Sequence, residues 1–201
     1  MRQNGDIVSH IMKPDLTRQR ITDAFNRLIR KAEFESLTVN DIVREAGISR
    51  ATFYRHFRDK YDVMNFNYFR LLNASIENPN VSTMEDLFVL LLTAGASGFY
   101  DLRSLFNTTG TNSLHEYISS YSRDAAVNLY ETGNVFAQGE RIRTLSDTEK
   151  MQLAMFCHGA AFLFEEWVKG AVPLSASQTA SAMYELLPLS FHGPLPKRKE
   201  S

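Results

Sequence analysis

The side chains best equipped for chemistry stand close together. Between Thr38 and Lys60 the chain reads TVNDIVREAGISRATFYRHFRDK. Phe53 and Phe57 are four residues apart and share the inner side of a short helix. Arg50, Ala51, Thr52, Tyr54, Arg55 and His56 cover its outer side. Such a face suits a nucleic-acid backbone. Arginine and protonated histidine neutralise phosphate, while hydroxyls and helix N-terminal amides hydrogen-bond it. A helix also has about the width of the B-DNA major groove. The same pattern is compatible with an ordinary helical hairpin whose basic face is simply solvated.

The elements that must hold this face are legible around it. Thr38 caps a helix, with Asp41 three residues on as an acidic capping box. Val39, Ile42, Val43 and Ala46 fall on one side of that helix. Gly47 stands where the helix ends and a positive φ is wanted. Ile48 re-enters the core and Ser49 caps the second helix. Helix, short glycine turn, polar helix is the pattern of a helix-turn-helix. Before it, Asp15 or Thr17 caps a helix with Ile21, Ala24, Phe25, Leu28, Ile29 and Ala32 on one face. Lys13, Arg18 and Arg20 near its start are candidates for phosphate or for solvent.

Thr38, Ile42-Val43, Ala46-Gly47-Ile48-Ser49, Thr52-Phe53-Tyr54, His56-Phe57 and Lys60 resemble the DNA-binding domain of the TetR/AcrR family of bacterial regulators. The likeness covers about residues 16 to 62. It implies an all-α protein: a three-helix helix-turn-helix domain followed by a helical ligand-binding and dimerisation domain. It also implies the DNA contacts. Thr38, Thr52, His56 and Lys60 would meet the backbone, and Ser49 is a further DNA contact. Asn40, Arg50 and Ala51 would face the bases, with Tyr54 touching either. Arg44, Arg55 and Arg58 are further charges with a solvated alternative. Family members usually dimerise through their last two helices, so the partners implied are a near-palindromic operator in double-stranded DNA, a second copy and a small-molecule effector.

The expected divisions are a flexible arm (1–14), the DNA-binding domain (15–60), a regulatory domain (61–190) and a loose tail (191–201) bearing Lys197-Arg198-Lys199. The helix from Lys60 is capped by Asp59. It carries too many apolar residues for one stripe, and so has two buried sides. In the resembled family this helix joins the two domains and transmits movement of the body to the recognition helices. Further helices start at Ser82 or Thr83, run from Leu114 toward Gly133, start at Ser146 with a capping box to Glu149, and start at Ser175. Between them fall a bend at Gly95 to Gly98, an exposed loop at Gly110-Thr111-Asn112 and an irregular stretch at Gln138-Gly139-Glu140. Aromatic density selects Phe66, Phe69, Phe99, Leu102, Phe106, Tyr117, Tyr121 and Phe162 as an effector pocket, with plain core packing as the alternative.

Composition narrows the classes. Residues 1–70 hold 13 Lys and Arg against 9 Asp and Glu, and the remainder holds 9 against 14. The basic part coincides with the DNA motif. No apolar run is long enough to span a membrane, no leader pattern is visible, and one cysteine excludes an internal disulfide, which together point to the cytoplasm. No phosphate loop, metalloprotease motif or paired CxxC is present, so no enzyme and no cofactor are expected. Cys157-His158 with His115-Glu116 and Glu165-Glu166 form a minor metal-sensor alternative, outweighed by a buried thiol and a satisfied histidine. Two other classes stay open: an activator or adaptor binding a protein partner, and a helical enzyme with an ornamental three-helix cap. The C-terminal region is weakly similar to a branch with activators of sugar or dihydroxyacetone metabolism.

Overall fold

The computed structural model describes residues 15–96, 102–108, 113–133 and 141–196. The arm with Lys13, the bend beyond Ala96, Phe99, the Gly110 loop, the Gln138 stretch and Lys197-Arg198-Lys199 lie outside the described residues. Among the described residues the secondary structure is helical, with no β-strand and one isolated bridge, Thr83 to Pro194. The chain forms two compact units, Met1–Met64 and Asn65–Ser201. The division falls inside the helix that starts at Lys60.

In the first unit, α1 spans Leu16–Ile29. Asp15 Oδ1 accepts from the amides of Thr17 and Arg18 at 3.0 and 3.1 Å, which satisfies the open first turn. Ile21, Ala24, Phe25 and Ile29 are buried, as their spacing requires. The expected face ran on to Ala32, but the helix stops earlier and Ala32 is exposed. The amides of Lys31 and Ala32 both fold back on the Leu28 carbonyl. The chain then drops Phe34 into the core through a 3-10 turn, Phe34–Ser36. The Phe34 ring is 1 % exposed and meets Phe25 and Tyr61 edge-on at 6.0 and 5.1 Å.

Helix α2 spans Val39–Ala46 and α3 spans Arg50–His56. Both halves of the Thr38–Asp41 capping box are formed. Gly47 has φ 62°, where a side chain would strain the backbone, and the Ile48 amide reaches the Val43 carbonyl at 3.2 Å. Arg20 ties α1 to this turn, donating to the Ala46 carbonyl at 2.9 Å. Phe53 and Phe57 are buried beneath α3.

Helix α4 spans Lys60–Ile76 and enters the second unit. Asp59 caps it through the Asp62 amide at 2.8 Å. Helices α5 (Met84–Ala96), α6 (Leu102–Leu105), α7 (Leu114–Thr132), α8 (Asp147–Lys169) and α9 (Ala176–Leu186) follow. α7 lies along α8, and α9 lies along α5. At Gly95 an added Cβ would sit 3.2 Å from the Phe164 ring, so a larger residue would require that ring to give by a few tenths of an ångström where α5 meets α8. Ser146 and Ser175 cap their helices as expected, and Ser113 caps α7. Buried Glu131 takes the Leu145 amide at 3.1 Å and pairs with Arg141 and Lys150, pinning the segment that enters α8. The Leu145 amide is the main cause holding the Glu131 carboxyl below its usual range.

One expectation is corrected here. The tail was placed from residue 191 onward as loose, yet Phe191 and Leu195 are buried. Tyr130 Oη donates to the Phe191 carbonyl at 2.8 Å, and the Leu195 amide reaches the Ser82 carbonyl at 2.7 Å. Two apolar side chains and two backbone partners outweigh the entropy of a few more ordered residues.

Asp86 supplies a first prediction. Its Oδ2 accepts from the amides and hydroxyls of both Ser82 and Thr83, each at 2.9 Å. These bonds, led by the Ser82 amide, lower its pKa to about 2 from 3.8. A depressed carboxylate stabilises the fold above its unfolded pKa and loses that contribution as pH falls toward the folded value. Asp86→Ala is expected to cost about 1 kcal/mol at neutral pH. The gap between variant and parent in thermal melts should close between pH 3.8 and about 2.

Candidate nucleic-acid interface

The outer face of α3 is built from the residues that the sequence singled out. Asn40, Ser49, Arg50, Ala51 and Tyr54 are exposed, and Thr52 and His56 are half-buried. Arg50 is held in place. Its Nη1 donates to Asn40 Oδ1 at 2.7 Å, its Nη2 donates to Tyr54 Oη at 3.3 Å, and its guanidinium lies 5.7 Å from the Tyr54 ring centre. The side chain most suited to a guanine edge therefore starts ordered rather than floppy. Arg55 is braced in the same way on Thr52 Oγ1 at 3.2 Å.

The backbone-contact candidates divide. Ser49 Oγ accepts from the Thr52 amide at 3.0 Å and meets the Thr52 hydroxyl at 2.9 Å. Thr38 donates through both its amide and its hydroxyl to Asp41 Oδ2, at 3.0 and 2.6 Å. A phosphate there must compete with Asp41, whose carboxyl is held low chiefly by the Thr38 hydroxyl. His56 Nδ1 lies 3.0 Å from Asp15 Oδ2, clasping α3 to the start of α1. The Lys60 ammonium donates to the Phe34 and Glu35 carbonyls at 2.9 and 3.0 Å and sits 4.5 Å from the Phe34 ring centre. Its first role is thus to close the Phe34 turn. The sequence did not disclose that role, although Phe34 and Leu37, three apart among charged residues, were the available signal.

Of the other cations, Arg18 lies over Phe57 at 5.3 Å and 3.7 Å from Asp15. Arg44 pairs with Asp41, and Arg58 lies 3.6 Å from Asp62.

The expected pocket residues fall elsewhere. The second unit holds a cavity of about 80 Å³ whose walls include Tyr68, Leu87, Phe88, Ser122, Cys157 and Met183. None of Phe66, Phe69, Leu102, Phe106, Tyr117, Tyr121 or Phe162 lines it. Phe66 stacks on Phe69, Tyr117 stacks on Tyr121, and Phe106 packs edge-on against Phe164. Phe162 points outward and is 56 % exposed. Aromatic rings prefer each other, so aromatic density marked the packing. The cavity wall mixes aliphatic side chains with Tyr68, Phe88, Phe156 and Phe164.

Cys157 is buried, and burial raises its pKa to about 12, so it stays a thiol. His115 Nδ1 lies 2.9 Å from Glu165, whose other oxygen pairs with Lys169. Among the described residues no group of three His, Cys, Asp or Glu is arranged for a metal. No helix among them is long and apolar enough to cross a membrane.

Residues 21–65 match the family described as bacterial regulatory proteins, tetR family. Among curated relatives, a Staphylococcus aureus HTH-type transcriptional regulator is 39% identical over 59 residues, covering 29% of this chain and 32% of that protein. A Haemophilus influenzae HTH-type transcriptional regulator is 41% identical over 49 residues, 24% of each. These matches therefore span a third or less of the relatives' own length. Solved structures share the whole fold at low identity. A TetR transcriptional regulator from Rhodococcus sp. RHA1 superimposes with a TM-score of 0.59 at 14% identity, over 87% of this chain and 96% of that one. The dihydroxyacetone kinase operon activator DhaS gives 0.56 at 17%, with the same coverage. The N-terminal match supplies the domain and the structural likeness supplies the fold: residues 21–65 carry the DNA-binding domain of the tetR family of bacterial regulatory proteins, and the chain shares the helical fold of solved TetR-type regulators.

Proposed function

We propose that the protein is a sequence-specific repressor that binds a near-palindromic operator as a homodimer and leaves it when a small effector binds the second unit. The observation that carries the reading is the Arg50 brace. A guanidinium held by Asn40 and Tyr54 on an exposed helix face is ordered for a base edge at the cost of its own solvation. Asn40 and Ala51 flank it. Ser49, Thr52, Tyr54 and His56 would grip phosphates, and Thr38 and Lys60 would join once a phosphate displaces part of their present bonding.

Dimerisation is supported by the outer face of α8 and α9. Met151, Met155 and Phe162 on α8 and Leu186 on α9 are all more than half exposed. Between them runs a concave apolar groove of about 340 Å³, lined by Met155, Gly159, Ala160, Leu163 and Leu186 among others. Large exposed apolar patches mark interaction surfaces. An isologous pairing of this face would form a four-helix bundle and fix the spacing of two reading helices. Effector release would follow from a difference in affinity between the two arrangements of the dimer.

Binding-site selection with the parent protein followed by quantitative gel shifts tests the DNA reading. Arg50→Ala is expected to lose about 1–3 kcal/mol of discrimination at one position of each half-site. Arg55→Ala should weaken all sequences alike and flatten the salt dependence by about one charge. If both variants bind every sequence as the parent does, the assignment fails.

A further inference from the structure

The cavity of the second unit carries a statement about its ligand. No charged side chain among the described residues lines it. The wall is aliphatic and thioether, from Leu72, Leu87, Leu92, Leu129, Met84 and Met183. Phe88, Phe156 and Phe164 contribute rings, and Cys157 contributes a protonated thiol. Arg123 and Asp124 act on Cys157 from nearby, but they are paired to each other at 2.8 Å and do not reach the cavity wall. Among the described residues of the wall, the hydroxyl pair is Tyr68 Oη with Ser122 Oγ, at 2.8 Å. Tyr68 is 5 % exposed, and burial holds its phenol well above the ordinary value, so it remains a neutral hydroxyl. Two hydroxyls own two protons and spend one on their own bond. The pair keeps a donor and lone pairs to offer.

Charge and size then select the occupant. An ion brought into this space would lose its hydration and find no counter-charge among the lining residues. A cavity of about 150 Å³ lined by apolar side chains accommodates benzene. At about 80 Å³ this one fits a slender chain better than a ring. We propose that this cavity is the effector site, and that its ligand is a small, uncharged, mainly aliphatic molecule with a single hydroxyl or carbonyl group bound at the Tyr68–Ser122 pair. The effector role rests on the regulator reading above. The ligand class rests on the cavity.

The test uses the full chain and four probes of matched length: n-butanol, n-pentane, butyrate and n-butylamine, with binding followed by ligand-observed NMR titration at pH 7. Saturable binding of n-butanol is expected, with butyrate and n-butylammonium at least about tenfold weaker. Tyr68→Phe should weaken n-butanol about fivefold and leave n-pentane unchanged, since only the alcohol uses the hydroxyl. Ala125→Leu, which places extra carbons in the wall, should abolish binding of both. Equal or tighter binding of either ion overturns the ligand class, as does failure of n-butanol to bind. Unchanged n-butanol affinity in Tyr68→Phe overturns the anchoring pair. Operator binding and dimer mass of the ligand-free parent are measured on the same preparations. Their loss sinks the regulator reading and leaves the cavity result standing.

Discussion

Replacing Met155 and Phe162 together by Asp is expected to turn the protein into a monomer of 22.9 kDa. In the single chain these side chains are 72 % and 56 % exposed, so each carboxylate starts in water and folding should change by no more than about 0.5 kcal/mol. In a paired state the same carboxylates would be buried face to face across a two-fold axis. Buried like charges without partners cost several kcal/mol each. Light scattering at micromolar concentration should therefore report half the parental mass, with an unaltered melting curve. Affinity for DNA carrying both half-sites should fall about a hundredfold or more, because the second half-site is no longer reached at high effective concentration. Affinity for one half-site should hold. A variant that keeps the dimer mass shows that α8 and α9 pair with nothing.

Phe53→Ala should have the largest effect on stability. The ring is 0 % exposed, lies 6.0 Å from Phe57 and meets Tyr54 edge-on at 5.4 Å. Truncating a buried phenylalanine costs about 3–5 kcal/mol through lost burial and the cavity left behind. The first unit is small, and small units have little stability to spare. Hydrogen exchange should show α1, α2 and α3 losing protection while α7 and α8 keep theirs, and DNA binding should be lost. Tyr54→Ala is the control. Its side chain is 49 % exposed, so it should leave protection almost intact and act on DNA alone. Equal loss of protection in both variants would mean that α3 is not seated through Phe53.

The parts of the molecule that were legible in the sequence are those fixed within one turn of chain. Thr38 with Asp41, Gly47, Ser49 and Ser146 with Glu149 satisfy backbone groups three or four residues away, so spacing alone exposes them. The inward pair Phe53 and Phe57 follows from the same short period. Elements set by distant partners were hidden. Phe34 finds its place against Phe25 and Tyr61, Glu131 against Leu145, and Phe191 against Tyr130. No local pattern announces these meetings. Ring density selected residues that pack on one another, Phe66 on Phe69 and Tyr117 on Tyr121, while Phe99 lies outside the described residues. Phe162 was selected for its ring alone, and that ring is 56 % exposed on α8.

The threesome of Asn40, Arg50 and Tyr54 has a consequence for how such a protein acquires a new target. Exchanging Arg50 alone strands an amide and a phenol that were arranged around it. Exchanging Asn40 alone lets the guanidinium wander. Coupled positions of this kind make mutational effects non-additive. Inheritance of a changed operator preference would then run through paired substitutions on α2 and α3, and single steps would pass through weak, indiscriminate binders.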